Sequence, residues 1–123
     1  MTASSKAVVL TLLIAAAVVA APGATAQEAP ALFIVHFETG PAWDKSLDPS
    51  VQRGFAEHSA NMNRLRKEGA ISFGARYGDY GLIILKSASM DAAKAILDAD
   101  PGVQAGIFIY RVAPLSVFYP WQE

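Results

Sequence analysis

Three segments of this chain are apolar in both phases of a two-residue repeat and are too short to be helices. Ala31 to Phe37 reads Ala-Leu-Phe-Ile-Val-His-Phe, Gly81 to Lys86 reads Gly-Leu-Ile-Ile-Leu-Lys, and Gln104 to Val112 carries Ile107, Phe108, Ile109, Tyr110 and Val112. Side chains of a strand alternate between the two faces of a sheet, so a strand apolar in both phases belongs to a sheet covered on both sides. In the first segment Phe33, Val35 and Phe37 oppose Leu32 and Ile34, and in the second Ile83 and Leu85 oppose Leu82 and Ile84. Two covers are therefore needed.

The intervening residues supply only one cover. Asp48-Pro49 offers an N-cap followed by the favoured first helical residue, so a helix is expected to begin near Pro49. Val51, Phe55, His58, Met62 and Leu65 would form its apolar face, and Gly69 would end it. Ile71, Phe73, Ala75 and Tyr77 alternate with Ser72, Gly74 and Arg76, which predicts a strand with one better-buried face. Gly78-Asp79 is a two-residue hairpin signal that returns the chain into Gly81–Lys86. Ser89 caps a second helix with Met90, Ala93, Ile96 and Leu97 inward, ending before Asp100-Pro101 because the residue before proline avoids helical geometry. The segment Leu115 to Tyr119 is expected to add a short edge strand ahead of Pro120-Trp121. Strand, helix, strand, strand, helix, strand is the split βαβ order of an α+β, ferredoxin-like sandwich, with both helices on one sheet face. A second copy of the chain is then the expected cover for the other face, giving a homodimer with sheets face to face.

Upstream of this unit, Lys6 precedes an apolar run of 15 residues from Ala7 to Ala21, followed by Pro22-Gly23 and Ala24-Thr25-Ala26. The run is shorter than the 18 or more residues of a spanning helix, and small residues stand at −3 and −1 of a cut after Ala26. Residues 1–26 are therefore read as a cleavable signal peptide, residues 27–123 as the mature domain, and the location as periplasmic or secreted. An uncleaved anchor is the alternative; after cleavage no membrane segment is expected. Without Lys6, 9 Lys+Arg face 11 Asp+Glu, a net charge of −2, with no basic stripe to meet nucleic acid. The absence of cysteine rules out disulfide staples, so stability must come from a core and from association.

His58 occupies a stripe position between Phe55 and Met62 where an aliphatic side chain would pack better. A partly buried imidazole suits general acid–base work if an acceptor orients it, and a core histidine satisfied by a backbone carbonyl is the competing reading. Gly54, one turn earlier, weakens a helix by about 1 kcal/mol relative to alanine, and leaves room either for a ligand or for close packing. Asp100 stands before Pro101; whether it meets His58, 42 positions earlier, depends on the fold. Trp43, in the Gly-Pro-Ala-Trp-Asp loop, offers an aromatic wall and an N–H donor for a cleft, or an anchor for the loop. Arg76 suits an anionic substrate or solvent. His36 shares a strand phase with Leu32 and Ile34 and is read as a second cleft residue or a haem ligand. No HxH, HExxH or cysteine cluster supports a metal.

Four blocks carry a family resemblance: Phe33 to Asp44 (FIVHFETGPAWD), His58 to Gly74 (HSANMNRLRKEGAISFG), the hairpin, and Asp98 to Pro114 (DADPGVQAGIFIYRVAP). Together they resemble the YCII-related (YciI-like) family of the dimeric α+β barrel superfamily over nearly all of the mature chain. The resemblance implies that His58 and Asp100 form a His–Asp pair in a cleft of each subunit of a homodimer. It further implies lyase- or isomerase-like proton chemistry on a small cyclic or aromatic substrate, with no cofactor required. Other dimeric α+β barrels hold haem, so the alternative is a non-catalytic module for a small ligand or haem. The chain departs from the family at Gly74-Ala75-Arg76, where Gly-Pro is common, and in its signal, since most members are cytoplasmic.

Overall fold

The computed structural model describes Thr2, Ala3 and residues 30–123; apart from those first two residues, the expected signal peptide lies outside the described residues. Along the chain come β1 (Ala31–Thr39), α1 (Phe55–Lys67), β2 (Ile71–Tyr77), β3 (Tyr80–Ser87), α2 (Met90–Asp98), α3 (Pro101–Gln104) and β4 (Phe108–Pro114). The strands form one antiparallel sheet in the order β2-β3-β1-β4, the ferredoxin-like arrangement expected from the element order. No helix among the described residues is long and apolar enough to cross a membrane.

Register fixes which side chains share a face. Phe33 pairs with Leu85 and Val35 with Ile83, and on the other side Val35 pairs with Val112 and Phe37 with Tyr110. This inner face packs on Leu65 of α1 and on Ala93 and Leu97 of α2, with Val35, Leu85, Ala93 and Leu97 fully buried. Burying a side chain of the Val or Leu class contributes about 1.5–3 kcal/mol, so this layer is the main source of stability. The Ser89 hydroxyl accepts from Ala92 N–H at 3.1 Å and caps α2 as expected. The opposite face carries Ile34, Leu82 and Ile84, only partly buried, together with exposed Phe73, Tyr77, Tyr80 and Ile109. Among the described residues this second face has no cover.

Four expectations change in detail. The helical turn at Pro49 stops at Val51, and α1 begins only at Phe55. The break is made by Gln52, which is extended and buried and whose amide bonds Asp44 N–H at 2.9 Å and the carbonyls of Asp44 and Leu47 at 2.6 and 3.2 Å. Gly54 then enters α1 at φ 87, so it is a left-handed N-cap rather than a helical residue, and Val51 leaves the apolar face for solvent. In β2, Ile71 faces Leu85 whereas Phe73 faces Ile84, so Ser72 is an extra residue. From there the phase reverses: Gly74 and Arg76 turn to the inner side and Phe73, Ala75 and Tyr77 to the outer. Arg66 of α1 holds this bulge by donating to the carbonyls of Ile71 and Ser72 at 2.8 and 2.7 Å. The fourth strand starts at Phe108, not Gln104, because Pro101–Gln104 is a helical turn. The tail forms no strand; Leu115 N–H donates to Leu32, and Phe118, Tyr119 and Trp121 are exposed.

Candidate functional site

His58 lies in the first turn of α1, and Asp100 lies at the N-cap of α3. What brings them together is the close approach of the two helices, for which Gly54 is required. A Cβ at Gly54 would stand 2.8 Å from the Ala105 Cβ and 3.3 Å from the Pro101 carbonyl oxygen. Gly54 thus serves helix packing and does not line the cleft, which corrects the reading of it as a ligand contact. Gly102 is needed on the other side, where a Cβ would meet Phe108 at 2.8 Å and the His58 Cβ at 3.0 Å.

With the helices so placed, His58 Nδ1 donates to Asp100 Oδ2 at 2.6 Å. Asp100 is fully buried, and the His58 side chain is 15% exposed. The same Oδ2 accepts from the backbone N–H groups of Gly102 and Val103 at 3.1 and 3.2 Å, which caps α3. Oδ1 accepts from the Asn61 amide at 2.8 Å. Burial pushes the Asp100 carboxyl up. The hydrogen bonds from His58 and Asn61, the nearby imidazole charge and the Val103 N–H outweigh it and hold the group below the usual carboxylate range. An ionised Asp100 bonded to Nδ1 fixes the tautomer with its proton on Nδ1. Nε2 then carries the lone pair that accepts a proton. The imidazole is set among aromatic rings, with centroids of Phe108 at 4.6 Å, Phe37 at 5.8 Å and Phe55 at 6.3 Å.

His58 lines a cavity of about 700 Å³ between the start of α1 and the β2–β3 hairpin. Phe37, Phe55 and Phe108 give it an aromatic lining, and Trp43, 5.7 Å from the Phe108 centroid, extends that wall from the loop after β1. Arg76 reaches it because the bulge turned that phase inward, and Lys45 and Asp79 add charged groups, while Glu38 and Tyr80 edge the cavity with their side chains beside His36 on the outer face. Of the residues singled out in the sequence, His58, Trp43 and Arg76 share this cavity and Asp100 stands behind His58. His36 does not join them. It pairs with Leu82 and Arg111 on the outer sheet face, beside a small recess of about 170 Å³. There its Nδ1 bonds the Tyr77 hydroxyl and its Nε2 accepts from Arg111 at 3.3 Å, so iron ligation would require breaking one of these bonds. No group of three or more His, Cys, Asp or Glu among the described residues is arranged to hold a metal.

Asn61, Lys45 and the ring of Phe108 were not singled out from sequence. Asn61 had a usable signal, since it lies three residues after His58 and so shares its helix face.

The family model described as YCII-related domain matches residues 32–116. The chain belongs to the YCII-related domain family. The match takes in β1 through β4 and so includes both His58 and Asp100. No curated protein sequence matches this YCII-related chain. Among solved structures it is similar to 5-chloro-2-hydroxyhydroquinone dehydrochlorinase from Burkholderia phenoliruptrix, in complex with 2,5-dihydroxybenzoquinone. The identity is 20%, the alignment covers 69% of this chain and 93% of that one, and the TM-score is 0.49.

Proposed function

We propose that this YCII-related domain is an enzyme in which His58 moves a proton to and from a small cyclic or aromatic substrate, with Asp100 orienting the imidazole. The observation that carries the reading is the 2.6 Å bond from His58 Nδ1 to a fully buried carboxylate, with the same ring lining an aromatic cavity. A purely packing histidine has no need of a buried anion. Burying that carboxylate is costly unless it is paired and hydrogen-bonded, as it is here. Nε2 would take a proton from carbon or oxygen of the substrate. The freed electron pair would form a double bond as a leaving group departs, or the proton would return at another atom. A positioned base accelerates such a step about 10² to 10⁴-fold, so further stabilisation of developing negative charge is required. Arg76 and Lys45, both on the cavity lining, are the residues suited to it.

The protein carrying this site is proposed to be an exported homodimer. Support for export is the charged, apolar and small-residue order of residues 1–26. Support for the dimer is the uncovered sheet face with Phe73, Tyr77, Tyr80 and Ile109 exposed on it, closed by a two-fold partner bearing the same face.

The test is deuterium exchange from D2O into a panel of small cyclic ketones, lactones and hydroxylated aromatics, read by mass spectrometry. Exchange catalysed by the mature protein and abolished in His58→Ala is the expected result. Exchange by His58→Ala equal to that of the unaltered protein would overturn the proposal.

A further inference from the structure

The hydrogen bonding of the pair continues past Asp100. Asn61 Nδ2 donates to Asp100 Oδ1 at 2.8 Å, and the Asn61 Oδ1 in turn accepts from Arg64 Nη2 at 2.7 Å. Arg64 Nη1 is held by both carboxylate oxygens of Glu68 at 3.0 and 2.9 Å. His58, Asn61, Arg64 and Glu68 follow one another at steps of three, three and four residues along α1. They form a row on one helix face, running from the buried pair to solvent.

This row has a directional logic. An amide can present either its N–H or its carbonyl. Presenting the carbonyl to Asp100 would oppose two acceptors across 2.8 Å. A guanidinium donates only, so Arg64 captures the carbonyl end and leaves the N–H end for Asp100. Glu68 keeps the guanidinium in place. Resting on the reading of His58 and Asp100 as a working pair, we propose that Asn61 is a positioning residue for that pair, oriented by Arg64. Its amide holds the second oxygen of Asp100, keeps that carboxyl ionised, and shares charge that would otherwise fall wholly on the imidazolium. The other charged residues of the cavity lining are Lys45 from the loop after β1, Arg76 from β2 and Asp79 from the hairpin turn, with Glu38 of β1 at its rim and its carboxylate 3.8 Å from His36 on the outer face. None of them is bonded to Asp100, whose side-chain partners are His58, Asn61 and the α3 N–H groups.

The test is the titration of the Asp100 carboxyl, followed through its 13Cγ resonance in the mature protein and in variants. Asn61→Ala removes a donor to the ionised form, so the midpoint should rise by about one pH unit, a tenfold gain in proton affinity. Arg64→Ala lies at the surface and should fold; freeing the amide to turn should give a rise of the same sign, about threefold in proton affinity. Lys67→Ala removes a charge from the same helix without touching the row and should give less than half the Arg64→Ala shift. A structural role alone would lower the melting temperature without moving the Asp100 midpoint. An unmoved midpoint in both Asn61→Ala and Arg64→Ala, or in Arg64→Ala alone if the other fails to fold, overturns the proposal. So does an Arg64→Ala shift no larger than that of Lys67→Ala. The underlying pair is checked separately, by whether the His58 ring titration responds to Asp100→Asn. A response there beside an unmoved midpoint in the Asn61 and Arg64 variants would sink the positioning role and leave the pair standing.

Discussion

Replacing Asp100 by Asn keeps the size of the side chain and removes its charge, and the surroundings leave the new amide no satisfactory orientation. If its carbonyl takes the place of Oδ2, His58 and the Gly102 and Val103 N–H groups stay served. Its NH2 group then faces Asn61 Nδ2, donor against donor, across 2.8 Å. Turning the Asn61 amide moves the conflict to Arg64 Nη2, 2.7 Å away. One bond is therefore lost, at about 1 kcal/mol, and the His58 bond falls from a charge-assisted one of about 1.5–3 kcal/mol to a neutral one of about 1 kcal/mol. The expected loss is about 1.5–3 kcal/mol, or about 6–24 °C in melting temperature for a domain of roughly a hundred residues. Urea unfolding followed by circular dichroism measures it, with chain concentration held constant because the proposed dimerisation would add stability. Acid supplies a second check. The folded Asp100 carboxyl sits below its ordinary value, so its contribution is present above the unfolded carboxyl value near pH 4 and fades as pH falls through the lower folded value. The lead of the unaltered protein over the variant should be full at pH 7 and shrink below about pH 4. A lead under about 0.5 kcal/mol at pH 7, or one undiminished by acid, would refute the account of a buried ionised carboxylate.

Gly54→Ala should destabilise by about 2–4 kcal/mol in the same unfolding assay, because alanine meets both a left-handed backbone at φ 87 and the Ala105 methyl at 2.8 Å. On the outer sheet face, Ile84→Glu should convert a dimer to monomer in analytical ultracentrifugation while circular dichroism stays that of a folded chain; a persisting dimer would place the association elsewhere. Arg76→Gln should weaken binding of an anionic aromatic probe such as salicylate about tenfold by calorimetry, with less effect on an uncharged phenol of the same size. Ending the chain at Ser116 should change the unfolding free energy by less than about 0.5 kcal/mol, since Phe118, Tyr119 and Trp121 are exposed.

The fold was legible because its strands are long apolar runs whose order admits few topologies, and Gly78-Asp79 and Ser89 carry their local instructions without outside help. What misled was the same dipeptide used twice. Asp48-Pro49 suggested the start of a long helix, and Asp100-Pro101 only the end of one. The difference lies in long-range contacts: Gln52 ties down the loop after the first, while the Asp100 side chain caps a turn after the second. The phase reversal in β2 was invisible for a related reason. Nothing in Ile71-Ser-Phe-Gly-Ala-Arg-Tyr77 announces a bulge, and the Arg66 side chain that holds it comes from α1. At the site, His58 stands out because an imidazole is costly on an apolar helix stripe, whereas spacing alone does not show that Asp100, 42 positions on, reaches it; the family resemblance pairs them, and the fold sets them 2.6 Å apart. Gly54 and His36 were misplaced because a glycine and a strand histidine carry no such sign of direction.

The bulge at Ser72 also makes the chemistry of the cavity a matter of counting. Downstream of it the hairpin presents Gly74 and Arg76 to the cavity side and Phe73, Ala75 and Tyr77 to the other. Deleting that single residue while keeping the hairpin turn would restore plain alternation back to Ile71, and any shift of phase carried toward the turn would exchange a cation for a phenol at the mouth of the cleft. An insertion or deletion whose shift ran on to the turn, ordinarily the coarsest change a sheet can suffer, would here select ligand charge by re-aiming the same residues, with the sequence from Phe73 to Tyr80 unchanged.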